Sequence, residues 1–250
     1  MSKISDFLVV NLAEEIFEGE TIVQGTSTFI PMIATLLAME KKRINLIGGF
    51  YLNPEVSPKI PSTFCFENYK NGKILGLSGF LDMLVQGKID LEFLRPAQVD
   101  KYGNVNNTVI GSHDKPKIRL PGGMGIDDVM YYAKKAILYV PNHSKRVFVD
   151  KVDFITASGW DKGKGPYKII TNLCVFEFIN KEITLTKINP EYTLEDVKNN
   201  TGFEFNVSLK VEKMLQVSSD ISNVIIRLDP IGIRDLEIKE ERSKILKKFI

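Results

Sequence analysis

Cysteine and histidine are scarce in this chain, with two of each in 250 residues. Cys65 and Cys174 lie far apart and in no metal-type spacing, so they read as free buried thiols of a reducing compartment. His113 and His143 sit in no HExxH or related frame, and no metal site is expected. No run approaches 18 apolar residues, and no apolar leader with a cleavage site opens the sequence. A soluble, cytoplasmic protein without a membrane partner is expected. An excess of one charge is missing too, since 33 basic against 31 acidic residues leave a formal charge of +2. That near-balance gives no support for a nucleic-acid partner. No internal repeat or low-complexity linker divides the chain, so residues 1–250 are expected to form one domain.

What is present suits a soluble globular protein: 44% hydrophobic and 26% charged residues over a length that buries a core without staples. Ser5 can cap a helix running to about Phe17, with Leu8, Leu12 and Ile16 at four-residue steps. Residues 21–24 read as a buried strand, and Gly25-Thr26-Ser27-Thr28 as a turn into a helix whose first turn holds Pro31. A second strand, 44–47, ends at Gly48-Gly49. Strand, loop, helix, strand is the rhythm of a parallel sheet. The fold class expected is therefore α/β, an open, mostly parallel sheet with flanking helices.

Prolines 54, 58 and 61 mark an irregular crossing loop over 50–62. A short helix over 78–85 leads through Gly87 to a buried strand at 91–94. Buried strands are expected at 136–140 and 151–156, with the basic cluster His143, Lys145 and Arg146 between them as a solvated turn or, alternatively, a seat for phosphates. Beyond Gly159 the rhythm changes to antiparallel: 168–178 and 183–188 pair around Asn180-Lys181. The loop WDKGKGP at 160–166 reads equally as a partner contact or a surface connection. Thr193 with Asp196 resembles a capping box. Residues 239–248 form a charged amphipathic helix.

Candidate site residues concentrate in 94–130. A strand end delivers the chain into a long polar loop carrying Gln98, Asp100, Asn104, Asn106 and Asn107, followed by Gly122-Gly123-Met124-Gly125 ahead of a helix that opens on Asp127 and Asp128. Long ordered loops in compact domains are usually functional. Glycines before a helix free main-chain N–H groups for a carboxylate, a phosphate or a developing oxyanion, although they also serve a plain turn. Gln98 lies where open α/β sheets place ligands, and its amide can both donate and accept. Asn104 and Asn106 flank a turn at Gly103, which turn chemistry alone explains. Gly25, Thr26, Gly48 and Gly49 share the carboxyl edge of the first two strands.

The segments GFLDMLVQGKIDLEFLRPAQVDKYGNVNNTVIG, LPGGMGIDDVM, GPYKIITNLCVFEF, KINPEYTLEDVKNNTGF and LDPIGIR resemble the β subunit of family I coenzyme A transferases, the glutaconate CoA-transferase type in particular. The resemblance implies CoA transfer between carboxylic acids. It also implies an active site completed by a separate α subunit, in an α2β2 hetero-oligomer. An acyl-CoA thioester is then a substrate, and no cofactor is held permanently. In the family a glutamate of the β-type chain attacks the thioester. The matching position here is Gly48, followed by Gly49 and Phe50, so the glutamate is absent. Glu55, seven residues on, is a relocated nucleophile or a plain loop residue, and Glu67 lies farther along. With Gly123 and Gln98 from the loop and turn above, Glu55 completes the catalytic candidates. The substrate-binding candidates are Gly25, Thr26, Gly48, Gly49, Asn104, Asn106, Gly122 and Gly125. One branch of the family lacks the glutamate and hydrolytically opens a ring in steroid CoA thioesters, with the carboxylate supplied by the α subunit. A noncatalytic scaffold subunit, or a sugar-phosphate sensor on a related sheet, is the alternative from another class.

Overall fold

The computed structural model describes residues 3–57 and 69–247. Cys65, Glu67 and the end of the proline-marked loop lie outside the described residues. The chain forms two compact units, Met1–Phe93 with Leu215–Ile250, and Leu94–Met214.

In the first unit, β1 (Thr21–Gln24) is flanked by β2 (Asn45–Gly48) and β3 (Leu91–Leu94), both parallel to it. Beyond β2, the two-residue strands Tyr51–Leu52 and Lys73–Ile74 add antiparallel rungs. β3 is buried at all four positions, as a strand covered on both faces should be. Helix α1 (Ile4–Ala13) is buried from Ser5 to Ala13, and α2 (Phe29–Met39) is buried along Phe29 to Thr35 and again at Ala38. Pro31 stands in the first turn of α2, where its missing N–H has no role. Helix α3 (Gly76–Val85) buries only Leu84 and leaves Leu77, Leu81 and Val85 exposed at four-residue steps.

Ser5 does not cap α1. The helix starts one residue earlier, and the Ser5 hydroxyl donates instead to Asp235 Oδ1. That contact belongs to a latch made by the turn Ile233–Glu237. Arg234 donates through Nε to Asp6 Oδ1 at 2.6 Å and through Nη1 to Asp229 Oδ2 at 2.8 Å, and Glu237 Oε1 accepts the Ile30 N–H at 2.8 Å. A guanidinium between two carboxylates satisfies charges that would otherwise be costly to bury.

The second unit runs β4 (Lys135–Val140), β5 (Lys168–Thr171), β6 (Cys174–Ile179), β7 (Glu182–Ile188) and β8 (Asn206–Lys213). β4 and β5 are parallel, β5, β6 and β7 antiparallel, and β7 and β8 parallel. The architecture is thus the expected mostly parallel open sheet with flanking helices and some antiparallel strands. The single strand expected over 168–178 is two, because Thr171 Oγ1 accepts the N–H groups of Leu173 and Cys174 and turns the chain. Asn180 and Lys181 both take positive φ, 52° and 68°, the hairpin turn that matches strand twist. Thr193 and Asp196 make the reciprocal capping box of α5 (Leu194–Asn200).

Two expectations fail here. Residues 151–156 are an irregular loop, because their bonds go to scattered groups of the 98–107 loop: Asp153 N–H donates to Gln98 Oε1, Thr156 N–H donates to the Val105 carbonyl, and Thr156 Oγ1 accepts from Asn107 N–H. His143 is buried, not a solvated basic residue. It stacks on Phe148 with ring centroids 3.9 Å apart, and its two ring nitrogens meet Thr171 Oγ1 and Thr201 Oγ1. Burial lowers its pKa to about 3.

Candidate active site

In the Leu94–Met214 unit the polar loop closes on itself. Gln98 Oε1 accepts from Asn106 Nδ2 at 2.7 Å and from Asp153 N–H at 3.1 Å, while its Nε2 donates to Asp153 Oδ2 at 3.2 Å. Asn106 is fully buried. Its Nδ2 also donates to the Val109 carbonyl, and its Oδ1 accepts from Thr108 and Val109. Asn104 donates twice to Asp100 and accepts the Gly159 N–H at 2.7 Å. Burial pushes the Asp100 carboxyl up, against hydrogen bonds from Asn104 and Tyr102 that pull it down. A Cβ at Gly159 would stand 2.2 Å from the Tyr102 carbonyl oxygen, so only glycine lets the two loops touch.

The glycine turn joins the same network. Gly122 N–H donates to the Asn107 carbonyl at 2.8 Å, and a Cβ on Gly123 would meet Thr156 Cγ2 at 2.7 Å. Gly122 and Gly125 hold φ of 97° and 87°, conformations that favour glycine. The following helix, α4 (Ile126–Tyr132), is seven residues long. Gln98, Asn104, Asn106, Gly122 and Gly123 thus belong to one network, in which Gln98 bonds Asn106 and the other hydrogen bonds go to neighbouring loop residues such as Asp100, Asn107, Asp153 and Gly159. The Trp160 loop closes locally, its indole Nε1 donating to the Pro166 carbonyl at 3.0 Å.

In the Met1–Phe93 unit the carboxyl ends of parallel β1, β2 and β3 make a second cluster, the edge where open α/β sheets place ligands. Gln24 lies in register with Gly48, and the half-buried Gly25 and Thr26 form the turn after β1. At Gly48, where the resemblance leads one to expect a glutamate, a Cβ would stand 2.4 Å from Tyr69 Cε1. The tyrosine ring occupies the space a side chain would need. Gly49 and Phe50 take positive φ, 56° and 63°, between the rungs Gly48↔Tyr51 and Ile47↔Leu52, which makes them the centre of a hairpin turn. Glu55 is exposed in a short ladder opposite Lys70 and accepts from Asn71 Nδ2 at 3.1 Å.

A residue of this edge had no place among the sequence candidates. Glu92, the second position of the strand LEFL, is buried, and burial raises its pKa to about 8. The available signal was a single carboxylate inside an otherwise apolar strand. Among the described residues there is no group of three or more His, Cys, Asp or Glu able to hold a metal, and no helix long and apolar enough to cross a membrane.

A family model described as coenzyme A transferase matches residues 3–200. The chain belongs to the coenzyme A transferase family. The B-type subunit of the 3-oxoadipate CoA-transferase of Pseudomonas knackmussii is 41% identical over 140 residues, 51% of this chain and 54% of that protein. The B-type subunit of the glutaconate CoA-transferase of Acidaminococcus fermentans is 32% identical over 154 residues, 56% of this chain and 57% of that one. A cholesterol ring-cleaving hydrolase IpdB subunit of Mycobacterium tuberculosis is 31% identical over 156 residues, 57% and 61% of the two chains. This chain therefore spans little more than half the length of the curated relatives it matches. Among solved structures, the decarboxylase AibA/AibB C56V variant aligns with a TM-score of 0.85 at 25% identity, over 94% of this chain and 99% of that one. The family inferred from the AQVDKYGNVNN and LPGGMGIDD segments is the family found.

Proposed function

We propose that this chain is the β-type subunit of a two-chain, cytoplasmic enzyme acting on acyl-CoA thioesters, transferring CoA between carboxylic acids. The family match over residues 3–200 carries the reading, and the relatives, themselves B-type subunits of CoA-transferases, support a partner chain. Exposed apolar side chains add to it. β8 presents Val207, Leu209 and Val211 to solvent, and α3 presents Leu77, Leu81 and Val85, apolar rows of the kind a partner chain covers. The glycine turn with Gly122, Gly123 and Gly125, and the loop with Gln98, Asn104 and Asn106, act in this reading mainly as a rigid frame. The β1 and β2 edge with Gly25, Thr26, Gly48 and Gly49 receives the acyl group.

A second reading is favoured by one observation, the Tyr69 ring standing where a side chain at Gly48 would go. Covalent catalysis needs a carboxylate that reaches the thioester carbon, and this position supplies none. Cleavage of the acyl portion by water, with CoA retained on the product, is then the reaction. Co-expression with a neighbouring CoA-transferase α chain, followed by a CoA-ester screen with and without carboxylate acceptors, separates the two. Transfer yields the acceptor's thioester and a borohydride-reducible glutamyl thioester on this chain, with Glu55 its remaining surface candidate. Hydrolysis yields a cleaved acyl-CoA and no label. A purified complex inert toward every CoA ester would leave the scaffold reading.

A further inference from the structure

Glu92 pairs across the sheet with Val23 and reaches the Gly25 turn, where its Oε1 lies 3.2 Å from the point a Cβ on Gly25 would occupy. Its Oε2 is buried with no hydrogen-bond partner among the described residues. Polar groups of the same turn are engaged with one another. Thr28 Oγ1 donates to the Gly25 carbonyl at 2.8 Å, and Gln24 Nε2 donates to Thr28 Oγ1 and to the Thr28 carbonyl. Val23, its register partner on β1, and Gly25 and Thr28 of the turn carry no titratable group, and no ion pair to Glu92 is present among the described residues. An isolated carboxylate in such a place is costly, so the group holds its proton. A protonated carboxyl is a hydrogen-bond donor, which the ionised form is not.

The absence of a side chain at Gly25 matters as much as the acid itself. Gly25 has an ordinary backbone φ, since it is not among the residues of positive φ, so the turn does not require glycine there. What glycine does is keep a Cβ from standing 3.2 Å from Oε1, close enough to press on the carboxyl. The same turn lies beside Gly48, through the Gln24↔Gly48 register, at the ligand edge of the three parallel strands.

We propose that Glu92 is a catalytic hydrogen-bond donor to the acyl carbonyl oxygen of a bound CoA thioester, placed to stabilise the negative charge that builds on that oxygen. The inference rests on the acyl-CoA reading above and serves either of its reactions, because attack on the thioester and cleavage beside a carbonyl both put charge on oxygen. No proton changes hands; the O–H bond of Glu92 stays intact. A donor of this kind, aimed at developing charge in a dry site, contributes a rate factor of about 10²–10³.

The test uses the complex with the partner subunit. Glu92→Leu removes the donor at similar volume, and Glu92→Gln keeps an N–H donor that does not titrate. Expected is a loss in kcat of about 100-fold or more for the leucine variant, with KM changed less, and at most about 10-fold for glutamine. The wild-type rate should fall as pH rises through about 8, while the glutamine variant keeps its rate. A Gly25→Ala variant, which leaves Glu92 in place but crowds Oε1, should also lower kcat. A leucine variant as active as wild type, a glutamine variant as impaired as leucine, or a wild-type rate unchanged through pH 8–9 would each overturn the role of Glu92 alone. A wild-type complex inactive on all CoA thioesters would overturn the acyl-CoA reading, and the role of Glu92 with it.

Discussion

The polar loop of the Leu94–Met214 unit and the strand edge of the Met1–Phe93 unit treat buried polar groups in opposite ways. Gln98, Asn104, Asn106 and Asp100 are all buried, and each engages the others or the 153–159 loop. Glu92 is buried too, yet one of its oxygens has no partner among the described residues. A satisfied network fixes a loop and makes it rigid. An unsatisfied carboxyl stores a preference for a ligand that supplies what the protein does not. The loop that looks functional by composition is thus the better built as scaffold, and the acid hidden in an apolar strand is the better built for chemistry.

Five experiments sharpen or break this contrast, from the largest expected effect to the smallest. Glu92→Gln should flatten the dependence of stability on pH. The folded pKa of Glu92 is raised from 4.5 to about 8, so its contribution is fully present below 4.5 and is lost as pH rises through 8. Wild type should lose up to a few kcal/mol over that window, at about 1.4 kcal/mol per pH unit, and the variant should not, as read by urea unfolding. His143 in the other unit should behave with the opposite sign. Its folded pKa is lowered from 6.5 to about 3, so stability present above 6.5 is lost as pH falls toward 3. His143→Gln should remove that slope, at a similar cost per unit.

Asn106→Ala should lower unfolding stability by about 2–4 kcal/mol, because it removes one of the two donors to Gln98 Oε1 and the side-chain partners of the Thr108 N–H and of the Val109 N–H and carbonyl. An unchanged midpoint would mean that the loop network carries no weight. Gly48→Ala should cost about 1–3 kcal/mol by overpacking against Tyr69, and Tyr69→Ala in the same chain should recover part of the difference. A neutral Gly48→Ala would show that the ring does not hold that space. Leu209→Asp on β8 should leave the isolated chain within about 0.5 kcal/mol of wild type while weakening co-purification with the partner subunit. Retention of the partner would remove β8 from the interface.

Local chemistry was legible in the sequence where neighbours along the chain decide it. β1 at Thr21–Gln24, β3 at Leu91–Leu94, the Asn180-Lys181 turn and the Thr193–Asp196 capping box all stand at the residues expected. Ser5 reads as a cap only locally; Asp235, 230 residues on, takes its hydroxyl. Residues 151–156 have the pattern of a strand, but their partners are the Gln98 side chain and isolated groups of the 98–107 loop, which no periodicity reveals. His143 sits in a basic run and is nonetheless enclosed by Phe148, Thr171 and Thr201. Gly48 and Gly49 were readable as a missing nucleophile, whereas the Tyr69 ring that fills the gap comes from a distant segment. Glu92 was visible as an anomaly in an apolar strand. Its isolation is a property of three strands and a turn together, and only the fold supplies it.

The most direct measurement is a carbon-13 NMR titration of the Glu92 side-chain carboxyl, assigned by its loss in Glu92→Gln. A midpoint near pH 8 is expected; a midpoint near 4.5 would place an ordinary ionised carboxylate there and contradict the donor role.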